Sequence, residues 1–250
     1  MIVEPDLFWE DIADPLATFH AVRKHFPHTE SVTQDKFYRI AQGGKFRGSL
    51  ALAMLRGEKF DYANAMKWLP YFRKEAVSRD AVFVDMAYAE SLLHFNQKFM
   101  RPVSPMKEFS GDIFNRQKLR REIAFLTQNK NLHPHEIMCL VAAPVAIKTE
   151  WRCVFVNNKY VSGSQYMTNG QLDVNRLVPD NVREYAQFLA AKPYFQNIFE
   201  CILDIGAVEK QLKLVEVNGF ETSSFYAADL DAIYSAWADS LSEAPSVSAC

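Results

Sequence analysis

The chain lacks most of the signatures that would give its function away cheaply. Its 250 residues hold only 9 glycines. None of them builds a phosphate loop of the GxxxxGK[ST] kind or a GxGxxG dinucleotide fingerprint. No Ser/His/Asp nucleophile pattern is present either. The 4 cysteines (Cys139, Cys153, Cys201 and Cys250) are scattered, which argues against a disulfide framework. Three of them lie in apolar, strand-like runs and read as buried reduced thiols of a cytoplasmic protein. His133 and His135 flank a proline with no further ligands nearby, so they read as solvated loop residues and not as a zinc site. Neither sign of charge dominates. Lys and Arg number 28 against 30 Asp and Glu, giving a net charge of −2, so no global attraction to nucleic acid is indicated. The longest uncharged apolar run, Ile137 to Ile147, is too short to cross a bilayer and contains Pro144. The first residues, Met1 to Asp6, lack the basic and apolar regions of a secretory signal. The expected location is therefore cytoplasmic, with no membrane partner.

What is present is an ordinary globular balance, 49% apolar and 23% charged. Residues 1–95 alternate short helices and strands and predict an α/β unit. Leu16 to His25 reads as a helix, Phe37 to Ile40 as a strand, Gly48 to Arg56 as a capped helix, Asn64 to Ala76 as a helix and Ala81 to Val84 as a strand. The character changes near residue 98. A strand over Lys98 to Pro102, a helix over Asn115 to Asn129, a strand over Ile137 to Val141 and a hairpin turning at Asn157-Asn158 follow. Asp180 to Ala191 reads as a helix, and another helix, Asp229 to Leu241, closes this half. The tail, Ser242 to Cys250, is small and polar and predicts disorder.

The richest segment runs from Asp204 to Asn218. Two β-branched, apolar runs flank the polar break Glu209-Lys210-Gln211. With those three residues as the loop, Asp204 falls opposite Glu216, and Asn218 shares their face. Cys201, Leu203, Ile205 and Ala207 then face the core with Val215 and Val217. Opposed carboxylates repel unless a cation sits between them. Mg²⁺ on phosphates suits such a set of hard oxygen ligands. A wet surface hairpin explains the same residues, and a two-residue turn would shift the register.

Two cations stand out upstream. Lys107 lies on an extended segment before the small-residue turn Ser110-Gly111, where glycine lets backbone approach a ligand closely. Arg152 alternates with apolar Trp151 and Cys153. A mid-strand arginine costs desolvation unless paired, either with a ligand or with a carboxylate such as Glu150. The hairpin register expected from the Asn157-Asn158 turn puts Glu150 opposite Gln165 and Arg152 opposite Gly163. The basic run Arg116, Lys118, Arg120 and Arg121 reads as a solvated helix face.

In their order, these pieces resemble the ATP-grasp superfamily, and most nearly its RimK-like clade of small phage and bacterial proteins. The resemblance is carried by Phe99 to Val103, Lys107, Phe109 to Gly111, Pro144-Val145, Glu150 to Val156, Gly163 to Tyr166, Asp204 to Gly206 and Val215 to Tyr226. It spans Phe99 to Leu241, with a looser match at Lys45 to Ser49. It implies an α+β fold: an α/β N-terminal lobe (1–95), an ATP-grasp domain (96–241) and the tail (242–250), with ATP held between antiparallel sheets of two lobes. It implies an ATP- and Mg²⁺-dependent ligase that joins a carboxylate to an amine through an acyl phosphate and releases ADP. Lys107 would contact phosphates, and Leu140, Val141, Ala142 and Ala143 would flank adenine. Glu150 would lie near the ribose, and Arg152 would stabilise charge on the transferring group. Asp204, Glu216 and Asn218 would hold Mg²⁺. The implied partners are small-molecule or peptide carboxylates and amines. Where related ligases often carry a second arginine at the end of the hairpin, this chain has Gln165. The resemblance therefore also admits a nucleotide-binding or interaction protein without ligase activity, or a phosphotransferase.

Overall fold

Twelve strands and six helices are described in the computed structural model, over residues 2–3, 17–31, 46–47, 61–93, 96–105 and 107–243. The expected strand Phe37 to Ile40, the helix after Gly48 and residues 244–250 of the tail lie outside the described residues. In chain order the strands are β1 (Ile2–Val3), β2 (Glu30–Ser31), β3 (Phe46–Arg47), β4 (Val82–Asp85), β5 (Lys98–Pro102), β6 (Asp112–Phe114), β7 (Met138–Ala142), β8 (Thr149–Val156), β9 (Lys159–Thr168), β10 (Gln171–Asn175), β11 (Glu200–Val208) and β12 (Gln211–Asn218). Helices span Ala17–His25, Ala65–Phe72, Met86–Leu92, Arg116–Lys130, Asp180–Ala190 and Leu230–Glu243. Packing divides the chain into two units. The first comprises 1–59, 149–205 and 218–250, and the second comprises 60–148 and 206–217.

The first unit holds a small parallel sheet in the order β2-β1-β3 and the strands β8, β9 and β10 of an antiparallel sheet whose full order is β10-β9-β8-β11-β12. Its turns follow from asparagine. Asn157 and Asn158 join β8 to β9 at φ 49° and 58°. Asn169 and Gly170 join β9 to β10 at φ 49° and 74°. Those positive φ values match the right-handed twist of the strands that the turns join. The register differs from the one expected from the turn alone. Arg152 faces Ser164, Glu150 faces Met167, and shifts occur between Val154 and Phe155 and between Glu150 and Trp151. The causes are two bulges on β9, each adding one residue against β8. Gly163 lies where β9 closes onto β8: a Cβ there would stand 2.6 Å from the Arg152 carbonyl oxygen. The helix Leu230–Glu243 lays Ile233, Tyr234 and Trp237 on Val154, Val156 and Ile202, with Phe220 and Phe225 filling the same core. Asp229 caps that helix by accepting from Ala232 N–H at 3.0 Å.

The second unit is built on the antiparallel sheet β4-β7-β5-β6. Met100, Phe114, Cys139 and Val141 meet Met86, Ala89, Leu119 and Leu126 from the helices Met86–Leu92 and Arg116–Lys130. Asn115 starts the longer helix, its side chain accepting from Lys118 N–H at 2.8 Å. Among the described residues no helix is long and apolar enough to cross a membrane.

Candidate active site

In the first unit β8 presents Glu150 and Arg152 on one face, two residues apart. Both are buried, at 9% and 7% exposure, and Asp204 on β11 is 1% exposed. Arg152 Nε donates to Asp204 Oδ1 at 2.9 Å, and its Nη2 donates to Asp204 Oδ2 at 2.8 Å. This is the bidentate geometry in which a guanidinium and a carboxylate bind most strongly. Arg152 Nη1 donates to the Ser224 carbonyl at 2.9 Å, and Asn218 Nδ2 donates to Asp204 Oδ2 at 2.9 Å. Burial opposes the guanidinium charge. The Asp204 charge and its hydrogen bonds outweigh that penalty and hold the Arg152 pKa well above its ordinary value. Glu150 does not pair with Arg152; its Oε2 accepts from the Tyr166 hydroxyl at 2.7 Å. Burial, then the charges of Asp204 and Glu150, push the Tyr166 pKa well above the usual phenol value, against the pull of Arg152. Tyr166 therefore stays a donor at any physiological pH.

The second unit gathers Arg101 on β5, Lys107 and Glu216 on β12. Arg101 Nη1 donates to Glu216 Oε1. Lys107 Nζ lies 3.6 Å from Glu216 Oε2, and Lys107 itself sits at φ 51°. Arg101 also lies 5.8 Å from the ring centre of Trp68, which is fully buried. Gly111, expected to admit a ligand, packs against protein instead: a Cβ there would meet Arg101 Cβ at 3.1 Å. Leu140, Val141 and Ala142 are buried in β7 between β4 and β5, while Ala143 is exposed just past the strand.

Of the candidate residues, Arg152, Asp204 and Asn218 thus meet in the first unit, and Lys107 and Glu216 meet in the second. The connection between β11 and β12 is Glu209-Lys210, two residues and not the three the register argument used. The shared face of Asp204 and Asn218 rests on their hydrogen bond, not on loop length. Sequence reasoning missed Arg101, Tyr166 and Tyr226. Arg101 had a visible signal, a charged residue in the apolar run Phe99 to Val103. The charged positions offer oxygen donors and cations, which suit phosphates and hard metal ions. They offer no activated nucleophile: burial pushes the Cys139 thiol up to about 12, and Cys153 and Cys201 are held protonated the same way.

Sheets and helices in this arrangement are shared with solved structures. The chain matches a D-cycloserine synthetase, DcsG, at TM-score 0.59 and 12% identity, covering 96% of this chain and 98% of that one. A RimK domain ATP-grasp protein from Sphaerobacter thermophilus matches at TM-score 0.56 and 12% identity, over 95% and 97%. A D-alanine–D-alanine ligase from Bacillus anthracis matches at 0.55 and 10%, over 97% and 95%. At such identities the likeness speaks for the fold, an α+β ATP-grasp fold with antiparallel sheets, as the residue pattern implied. The model of an ATP-grasp domain family, the second family of its clade, matches residues 77–236, and the chain belongs to that family. Among curated proteins no relative matches.

Proposed function

We propose that the protein is an ATP- and Mg²⁺-dependent ligase that joins a carboxylate to an amine through an acyl phosphate and releases ADP. The observation that carries this reading is Arg152. Its guanidinium is buried and charged, yet it spends three of its five N–H bonds on Asp204 and Ser224. A buried arginine serving only as a structural ion pair gains by satisfying its donors fully. Two uncommitted N–H bonds fit a guanidinium that also holds an anionic oxygen of the transferring group. Phosphoryl transfer of this type asks the protein for position and charge, not for a nucleophile.

Under this reading Lys107 contacts phosphates, and the segment Leu140 to Ala143 lies against adenine. Glu150 stands near the ribose, steadied by Tyr166. Asp204, Glu216 and Asn218 are the proposed Mg²⁺ ligands. Their donor set fits the ion, because two carboxylates and a carboxamide are the hard oxygens it prefers. Bound there, the ion supplies charge neutralisation on the phosphates. Arg101 and Lys107 neutralise Glu216 in the structure described. The division into a first lobe (1–95), which closes the acceptor side, and a catalytic domain (96–241) belongs to the same proposal.

Gln165 favours a second reading, a nucleotide-binding protein or phosphotransferase without ligation. Its amide is committed to the β9–β10 hairpin, donating to Asp173 Oδ2 at 2.8 Å and to Thr168 Oγ1 at 3.2 Å. It therefore does not stand in for a second arginine. One experiment separates the two readings. The protein is incubated with ATP, MgCl₂ and panels of amino acids and short peptides, and ADP and product mass are followed. Acceptor-dependent ADP with a condensed product supports the ligase. ATP binding without acceptor-dependent ADP supports the alternative.

A further inference from the structure

Arg152 is gripped by more than Asp204. Its guanidinium carbon lies 5.3 Å from the ring centre of Tyr166 and 5.0 Å from that of Tyr226. The two rings are themselves stacked, 5.0 Å apart and 6° from parallel. Guanidinium groups are drawn to aromatic rings at such distances. Tyr226 reaches this position at φ 53°, a left-handed backbone that a bulky side chain rarely adopts. The surroundings enforce that conformation. Phe225 is fully buried in the core, and its carbonyl accepts from the Ser164 hydroxyl at 3.2 Å. Tyr226 N–H donates to Ser224 Oγ at 3.2 Å, and Arg152 binds the Ser224 carbonyl. A strained tyrosine held by its neighbours beside the proposed charge-stabilising arginine is the kind of outlier that points to function.

We propose that Tyr166 and Tyr226 are positioning residues for Arg152. Asp204 fixes one edge of the guanidinium but leaves it free to tilt about that edge. The two rings fix the plane. The remaining N–H bonds then hold one direction, toward the anionic oxygen of the transferring phosphoryl or acyl phosphate group. The inference rests on the ligase reading for the identity of that oxygen, and on geometry alone for the cage.

The test uses the full chain and two readouts. The first is steady-state ADP release. Tyr226→Leu is expected to lower kcat about 10- to 100-fold, as a misdirected catalytic group does, with KM for ATP little changed. Tyr226→Phe keeps the ring and is expected to rescue kcat. Tyr226→Gly removes the ring but accepts the positive φ without strain. It is expected to melt no lower than wild type and still lose kcat, a split that a purely structural tyrosine would not produce. The second readout is the Nε–Hε resonance of ¹⁵N-labelled Arg152, assigned by its loss in Arg152→Lys. It is expected sharp in wild type and Tyr226→Phe, and broadened in Tyr226→Leu and Tyr226→Gly. Sharp resonances in all four proteins, or kcat and KM unchanged in Tyr226→Gly, overturn the proposal. If the wild type ligates nothing while the resonances broaden as described, the ligase reading fails and the cage stands.

Discussion

Two carboxylate–cation groups in this protein look alike on paper and differ in physics. In the first unit Asp204 and Arg152 are almost without solvent, at 2% and 9% side-chain exposure, joined through two parallel hydrogen bonds and flanked by tyrosine rings. In the second unit Glu216 is shared between two cations. Its side chain is 20% exposed, Arg101 is 12% exposed, and Lys107 at 46% is mostly in water. The first group cannot lose a member without stranding a charge in low dielectric. The second can exchange one partner for another at small cost. A site that must hold a catalytic cation rigidly, yet let a carboxylate trade protein cations for a metal, has use for both kinds.

The largest expected effect tests the rigid member. Asp204→Leu leaves Arg152 charged and uncompensated inside the first unit. Breaking a buried pair from one side costs about 3–5 kcal/mol, a large part of the stability of an ordinary domain. Chemical denaturation of the purified variant measures it. A loss below about 1 kcal/mol would mean the pair is far better solvated than its burial indicates.

Second in size is the exchangeable member. Glu216→Gln keeps a neutral acceptor for Arg101, so the expected stability change is about 1 kcal/mol or less. Under the proposed role it nevertheless abolishes Mg²⁺-dependent ADP release. A melting temperature near wild type together with lost turnover would set the two groups apart. Unchanged turnover would place the metal elsewhere.

The contrast also explains what was legible beforehand. Arg152, Asp204 and Asn218 interrupt apolar strand runs, and a polar side chain in such a run needs a reason. Their meeting could be anticipated, but its form could not. Arg152 was weighed as a partner of Glu150, and it is Asp204 that binds it, because β9 carries bulges that no residue pattern announces and the partners lie on strands far apart in sequence. Arg101 was passed over beside Pro102, since its partner is 115 residues away. Strands β5 and β7 and the capped helices after Asn115 and before Asp229 were readable from alternation and capping residues. The helix Met86–Leu92 and strand β10 were not read, although Asn169-Gly170 is a strong hairpin signal. Tyr226 was invisible because its backbone conformation comes from tertiary packing around Phe225, not from local preference.

A smaller effect sharpens the same comparison through salt. At about 1 M NaCl the Debye length falls to about 3 Å, which screens groups in contact with water and spares buried ones. The stability difference between wild type and Glu216→Gln is expected to shrink toward zero between low salt and 1 M NaCl. The difference between wild type and Asp204→Leu is expected to hold. Equal salt sensitivity of the two variants would erase the distinction drawn from burial.

The smallest effect comes from a third cluster, which serves as the exposed reference. Glu90 Oε1 accepts from Arg116 Nε at 2.7 Å and from Arg120 Nε at 2.8 Å. Those hydrogen bonds, Arg116 first, hold its carboxyl below the ordinary value of 4.5. The sign follows from linkage: a carboxyl that binds its proton less tightly when folded stabilises the fold wherever it is ionised. That contribution is complete above the unfolded pKa of about 4.5 and fades as pH falls through the depressed folded pKa. The stability gap between wild type and Glu90→Gln, followed by urea denaturation, is therefore expected to be small and flat near neutrality and to close only on the acid side of that value. Both arginines are substantially exposed, at 44% and 60%, so solvent keeps the gap within the range of surface pairs. A gap as large as that of Asp204→Leu would show that cation number, not burial, sets the worth of these clusters.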